Sequence, residues 1–442
     1  MFKRKIYEQM KKWKEDNNSK TALLLEGARR VGKTTITKEF AKNEYKSFIF
    51  IDFANASKNI LDLFNDISNL DLFFLRLQAE TNIQLYKKES VIIFDEIQMF
   101  PKARQAIKYL VADGRYDYIE TGSLISIKKN VGNIVIPSEE RKIEVHPLDF
   151  EEFCDAVNLN YSNIRNMYEL HSPIGDAVNR TLIRNFRLYI AVGGMPQAVD
   201  AFVNKKSFEE IDIIKKDIIN LYENDLRKID KTGRLSKMYE SIPAQLLAKK
   251  NKFSFGFGLK KKNRKDDERL FDLIDSKIIN CCYCLNDISP SLGLHANLNK
   301  FKLYVGDTGL FVTMLFNDGN KQHEDIYKKL LSNKLELNLG YLYENAVAQM
   351  LVVAGKKLYY FDFNDSNSPH KKYKIDFIIN KKNKTIPIEV KSNKINSHIS
   401  IDNFGKKYSN FVSQKYLVSS KDFFENENLV NIPYYLFPSY LE

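Results

Sequence analysis

The residues best equipped for chemistry are Gly27-Ala28-Arg29-Arg30-Val31-Gly32-Lys33-Thr34-Thr35, directly after the apolar run Ala22-Leu23-Leu24-Leu25. Their spacing fits G-x-x-x-x-G-K-[ST], a loop that cradles phosphate between a buried strand and a helix beginning near Lys33. Glycine at both ends lets the backbone curl until successive N–H groups point inward at phosphate oxygens. Gly27, Ala28, Arg29, Arg30, Val31 and Gly32 supply that backbone, and Thr35 continues it into the helix. Lys33 reaches the β- and γ-phosphates of ATP, and the Thr34 hydroxyl binds Mg²⁺. The helix N-terminus adds its partial positive charge.

A second group completes a hydrolytic site. Val91-Ile92-Ile93-Phe94 is continuously apolar and ends in Asp95-Glu96, which places both carboxylates at the end of a strand buried on both faces. Asp95 suits the outer coordination of Mg²⁺, behind its direct ligands, and Glu96 is placed to orient or deprotonate a water attacking the γ-phosphate. Alone, an Asp-Glu pair after a strand reads equally as a surface turn, and the upstream loop gives it meaning. Thr121 and Ser123 close another strand, where either hydroxyl can reach the γ-phosphate or the water. With Lys33, these make the candidate catalytic set.

The elements that must hold these residues follow from hydrophobic pattern. Ala22–Leu25, Ser47–Asp52, Val91–Glu96, Tyr116–Ser123 and Lys142–His146 read as strands separated by helical stretches. That alternation predicts an α/β fold, a P-loop NTPase core with a parallel sheet flanked by helices and the ligand at the carboxyl ends of the strands. Ile6, Met10 and Trp13 follow helical spacing and predict an amphipathic first helix.

The chain has 442 residues, 44% hydrophobic and 28% charged, a folded composition with room for roughly two to four domains. No run approaches about eighteen apolar residues, so neither a membrane span nor a membrane partner is expected. The basic start Met1-Phe2-Lys3-Arg4-Lys5 lacks an apolar stretch behind it, and four cysteines cannot staple this length; a cytoplasmic location is expected. Cys281-Cys282-Tyr283-Cys284 has no second Cys or His pair nearby and reads as a strand rather than a metal site. The net charge of +12 gathers at Lys249–Lys252, Lys260–Lys265 and Lys371–Lys372. Such clusters neutralise DNA phosphates or simply solvate a Lys-rich surface, and charge alone does not choose.

Gly27–Thr34, then Phe94-Asp95-Glu96-Ile97-Gln98, then Thr121-Gly122-Ser123 resembles the prokaryotic AAA+-type ATPases of the archaeal-ATPase group. Pro147-Leu148-Asp149-Phe150-Glu151-Glu152-Phe153 and Tyr189-Ile190-Ala191-Val192-Gly193-Gly194-Met195-Pro196 resemble signatures of one branch, which carries a further C-terminal domain of unknown function. The resemblance runs almost the whole length and implies a core at 1–150, a helical lid at 151–235 and a winged-helix domain at 236–320. It also implies that Pro196 packs against the adenine. From the residues alone, Gly-Gly-x-Pro is a helix break followed by a helix start. The Gly-Arg that the branch often carries before the Pro-Leu segment is replaced by Ser138-Glu139-Glu140-Arg141. Arg141 is a weak candidate for an arginine finger, and a surface arginine explains it as well. Phe316–Asn320 reads as the start of a linker.

Residues 321–442 hold a second constellation. Glu344 lies on a helical stretch, and Asp376 begins a strand. Glu389 and Lys391, two apart on another strand, face the same side. A hairpin turning at Lys381-Lys382-Asn383-Lys384 brings Asp376 to Glu389. Paired carboxylates bind Mg²⁺ or Mn²⁺, and an adjacent lysine steadies a phosphoryl charge. The set resembles the restriction-endonuclease-like (D/E)-x-K nucleases.

The leading expectation is a slow Mg²⁺-dependent ATPase acting as a conformational switch coupled to the nuclease-like domain, with DNA as a possible client. An ATP-gated, metal-dependent DNA nuclease is a second reading. A non-catalytic scaffold whose protein contacts or self-association follow nucleotide is a third.

Overall fold

Ala22 to Glu26 form a strand, β1, because a run of leucines can be buried on both faces only inside a sheet covered on both sides. In the computed structural model, described for residues 2–17, 19–123, 137–256, 264–316, 323–332, 340–365, 370–381, 383–392 and 398–441, β1 is joined by β2 (Ser47–Asp52), β3 (Ser90–Asp95), β4 (Asp117–Gly122) and β5 (Glu140–Glu144). All are parallel, in the order β2-β3-β4-β1-β5. The registers Leu25↔Thr121 and Phe94↔Glu120 bring the carboxyl ends of β1, β3 and β4 to one edge. The α/β architecture with a parallel five-stranded sheet is consistent with a P-loop NTPase core.

The chain divides into two compact units, Met1–Pro147 with Asp275–Lys277, and Leu148–Ile274 with Ile278–Glu442. In the first, helix Lys5–Asn17 buries Ile6, Met10 and Trp13. Phe53, Phe64, Phe73, Phe94 and Phe100 pack edge-on or stacked beneath the sheet, with Phe53 and Phe100 centroids 5.4 Å apart. β5 begins two residues earlier than the Lys142–His146 pattern suggested. Arg104 grips Glu140 through two hydrogen bonds of 2.8 Å, both side chains almost wholly buried, and this pins the strand start.

The second unit is helical from Phe150 to Ile229, with helices at Phe150–Ala156, Ser162–Leu170, Asp176–Val192, Pro196–Val203 and Phe208–Ile229. Three shorter helices, Arg234–Glu240, Ile242–Leu247 and Asp266–Asp275, precede β6 (Ile279–Leu285) and β7 (Ala296–Val305). β6 carries Cys281, Cys282 and Cys284, and burial raises the Cys281 thiol to about 12. The strands β8 (Leu358–Asn364), β9 (Lys372–Ile375), β10 (Phe377–Lys381), β11 (Lys384–Lys391), β12 (Lys415–Ser419), β13 (Phe424–Asn426) and β14 (Leu429–Pro433) follow helix Gly340–Val353. They form two sheets, β7-β6-β8-β9 and β10-β11-β12-β14-β13.

One sheet contains strands from both sides of the boundary drawn at 320 from the sequence, since β6 is antiparallel to β7 and parallel to β8. A polar chain crosses that boundary as well. Asn345 exchanges two hydrogen bonds with Val305 backbone, and Gln349 accepts from Thr308 N and donates to Tyr189 Oη. Of the basic run Lys260–Lys265, only Arg264 and Lys265 lie within the described residues, and of Phe316–Asn320 only Phe316 does. Lys382 of the expected turn also lies outside them.

Candidate functional site

At the carboxyl edge of the parallel sheet, β1 runs into Gly27, whose φ is +152°. A Cβ there would stand 2.3 Å from Val145 O, so only glycine fits. Gly32, at φ +98°, caps helix Lys33–Glu44, and Arg30 takes φ +68° without being glycine. The loop is thus held in a curl that non-glycine backbone disfavours. Ala28 and Val31 are buried, whereas Arg30 and Thr35 are exposed, leaving backbone N–H groups as their natural contribution.

Lys33 is buried and donates to Gly27 O and Ala28 O, each at 2.9 Å. Burial pushes its ammonium down to about 8, against the pull of Glu96 and Asp95 and with some help from Arg29. Thr34 Oγ1 lies 2.8 and 3.0 Å from the two Asp95 oxygens. These are hard oxygen donors of the kind that suits Mg²⁺. Glu96 sits at φ +51°, just past β3, and the Gln98 amide donates to its Oε2.

The Thr121 hydroxyl donates to Asp95 Oδ1 and accepts from Glu96 N at 3.4 Å, which fixes the acidic pair. Ser123 is buried one residue past β4. Lys33, Thr34, Asp95, Glu96 and Thr121 are therefore brought together. Pro196 belongs to the other unit, where it opens helix Pro196–Val203. Arg141 is exposed on β5, at an edge of the sheet.

Arg4 was not legible as a site residue. Its guanidinium donates to Val31 O at 3.1 Å and His146 O at 2.7 Å, clamping the loop to the chain beyond β5. Arg4→Ala is expected to weaken nucleotide binding about tenfold, close to one charge-assisted hydrogen bond's worth. Arg4→Lys should recover only part, lacking the planar fork. Equilibrium titration with a fluorescent ATP analogue reads this out, and unchanged affinity would show that the loop keeps its shape unaided.

Glu344, Asp376, Glu389 and Lys391 stand in the second unit, on helix Gly340–Val353, between β9 and β10, and on β11. The β10–β11 register carries Asp376 towards Glu389, and Asp376 Oδ2 accepts from Val390 N at 3.0 Å. Two lysines unforeseen as members join them. Lys302 and Lys374 lie 3.0 and 3.3 Å from Glu344 Oε1, and Lys374 lies 2.9 Å from Asp376 Oδ1. Tyr304 Oη donates to the same Glu344 oxygen at 2.5 Å, and Lys391 is 2.5 Å from Glu389 Oε1. Lys374, two residues before Asp376, had the same-face spacing that would have flagged it; Lys302 is distant in sequence and had no local signal. As arranged, the carboxylates are engaged by ammonium groups and do not fit a second Mg²⁺ or Mn²⁺. Among the described residues no group of three or more His, Cys, Asp or Glu could hold a metal ion.

Three family models match parts of the chain. Residues 19–154 match the AAA domain, residues 183–321 a domain of unknown function (DUF8612), and residues 339–436 another (DUF4143). Among solved structures, the Walker-type ATPase PABY2304 of Pyrococcus abyssi is similar at 15% identity over 71% of this chain and 96% of its own, with a TM-score of 0.42. A signal transduction ATPase with numerous domains (STAND) carrying a tetratricopeptide repeat sensor, PH0952 of Pyrococcus horikoshii, is similar at 12% identity over 78% of this chain and 48% of its own, with a TM-score of 0.27. No curated protein matches the sequence significantly. The match of residues 19–154 to an AAA domain supports ATP binding by this part of the chain. Among the described residues no helix is long and apolar enough to cross a membrane.

Proposed function

We propose that the chain is a slow, Mg²⁺-dependent ATPase that uses nucleotide turnover as a conformational switch. The observation that carries this reading is the continuous set Lys33, Thr34, Asp95, Thr121 and Glu96 at the mouth of the phosphate loop. Lys33 would leave the loop carbonyls for the β- and γ-phosphates, and Thr34 and Asp95 would hold the metal. Mg²⁺, when bound, neutralises phosphate charge and orients the γ-phosphate. Thr121 fixes the acidic pair, Glu96 takes the proton of the attacking water, and Ser123 stands within reach of the same region. The Gln98 amide engages one Glu96 oxygen, which supports a low basal rate.

The switch would act on the second unit, read as a helical lid with Pro196 at the adenine, a winged helix and a restriction-endonuclease-like fold. DNA is the proposed client and the cytoplasm the proposed location. A rate that rises with DNA and falls back with salt would support that client.

Lys33→Ala is expected to abolish ATP binding. In the wild type, binding should also take up a proton above pH 8, because phosphate recharges an ammonium that burial had lowered to about 8. Affinity therefore falls as pH rises through that value. Calorimetry in buffers of different ionisation enthalpy measures both effects, and retained affinity in Lys33→Ala would overturn the site.

A further inference from the structure

The cluster around Glu344 poses a separate question from the nucleotide site. Three carboxylates, Glu344, Asp376 and Glu389, face three ammonium groups, Lys302, Lys374 and Lys391. The formal charges cancel. Lys374 Nζ spans the two acids that a shared metal would bridge, at 3.3 Å from Glu344 Oε1 and 2.9 Å from Asp376 Oδ1. The remaining acceptors are largely taken as well. Glu344 Oε1 also receives Lys302 and Tyr304, Asp376 Oδ2 receives Val390 N, and Glu389 Oε1 receives Lys391.

We propose that the Lys374 ammonium is the resident cation of this cluster, standing between Glu344 and Asp376, and that a divalent ion binds there only when that ammonium is removed. A divalent ion added to a neutral, largely buried group would leave two uncompensated charges out of water, which is strongly unfavourable. Burial works against the Lys374 charge, yet Asp376 and Glu344 together hold it above its ordinary value. Glu344 is held well below the usual carboxylate range: Lys302 and Lys374 overcome its burial. Glu389 is 6% exposed, and Lys391 engages its Oε1. Removing the Lys374 charge leaves the cluster one negative charge in excess, with Asp376 Oδ1 relieved of its ammonium.

The inference does not depend on the nucleotide reading, and its test uses nucleotide-free full-length protein. Mn²⁺ binding is followed by loss of the free-ion EPR signal in wild type, Asp376→Asn, Lys374→Met and the double variant. Wild type and Asp376→Asn are expected to titrate alike. Lys374→Met should bind one additional Mn²⁺ per chain, at least about tenfold tighter than any site in wild type, and Asp376→Asn should remove that gain. A Mn²⁺ equivalent in wild type that disappears in Asp376→Asn would overturn the proposal, as would a folded Lys374→Met without the gain. Should Lys374→Met fail to fold, the comparison of wild type with Asp376→Asn decides alone.

Discussion

Glu96→Gln is expected to bind ATP as tightly as the wild type while hydrolysing it at least about a hundredfold more slowly, the usual contribution of a positioned general base. The substitution preserves shape but removes the lone pair that would accept the proton of the attacking water. The hydrogen bonds of the groups assigned to binding do not involve Glu96, since Lys33 donates to loop carbonyls and Thr34 pairs with Asp95. Below about pH 7 the Lys33 ammonium keeps its proton in both proteins, and affinities are compared there. The left-handed backbone at Glu96 is equally open to glutamine, and an amide oxygen still accepts from Gln98. Phosphate release at saturating ATP, beside equilibrium nucleotide titration, separates the two effects. Hydrolysis at the wild-type rate would move the base to another residue. Loss of binding together with turnover would mean that Glu96 serves the shape of the site and not the proton.

Gly194→Ala should destabilise the second unit by about 3 kcal/mol or more, among the larger single-residue effects. Its new Cβ would stand 2.0 Å from Leu148 O and 2.8 Å from Leu148 N, and backbone cannot swing aside as a long side chain can. Those atoms are already tied, because Leu148 N donates to Gly194 O at 2.7 Å. Gly194 N in turn donates to the buried Asp307 Oδ2 at 2.6 Å, so displacement would break both contacts. Gly233→Ala is the control. It has a positive φ of +69° in the left-handed helical region and nothing within 4 Å, so only backbone strain of about 1 kcal/mol is expected. Denaturant unfolding followed by circular dichroism compares them. Equal losses would show that glycine freedom, rather than close approach, explains the Gly-Gly-Met-Pro sequence.

Much of the first unit was readable because its signals are local. A buried strand, a glycine-bounded loop and a helix start lie within a few residues of one another, and each follows from backbone chemistry. The strand ends carrying Asp95 and Thr121 were also visible. That Thr121 would turn its hydroxyl onto Asp95 was not, since the choice depends on the register of β4 beside β3. Gly193 and Gly194 looked like punctuation before Pro196. Their stricter purpose appears only when Leu148, Asp307 and Gly309 arrive from distant parts of the chain.

By itself, the sequence determined the phosphate loop, the acidic strand end and the parallel α/β core, because periodicity and short-range backbone constraints specify them. It also marked Glu344, Asp376, Glu389 and Lys391. Tertiary structure alone decided their company. Lys302 comes from β7 and Tyr304 from the same strand, whereas Lys374 comes from β9, and no spacing rule links all of them to Glu344. Charge balance in a buried cluster is a property of residues brought together across many turns of chain. Whether carboxylates meet a metal or an ammonium is therefore settled by packing and not by motif.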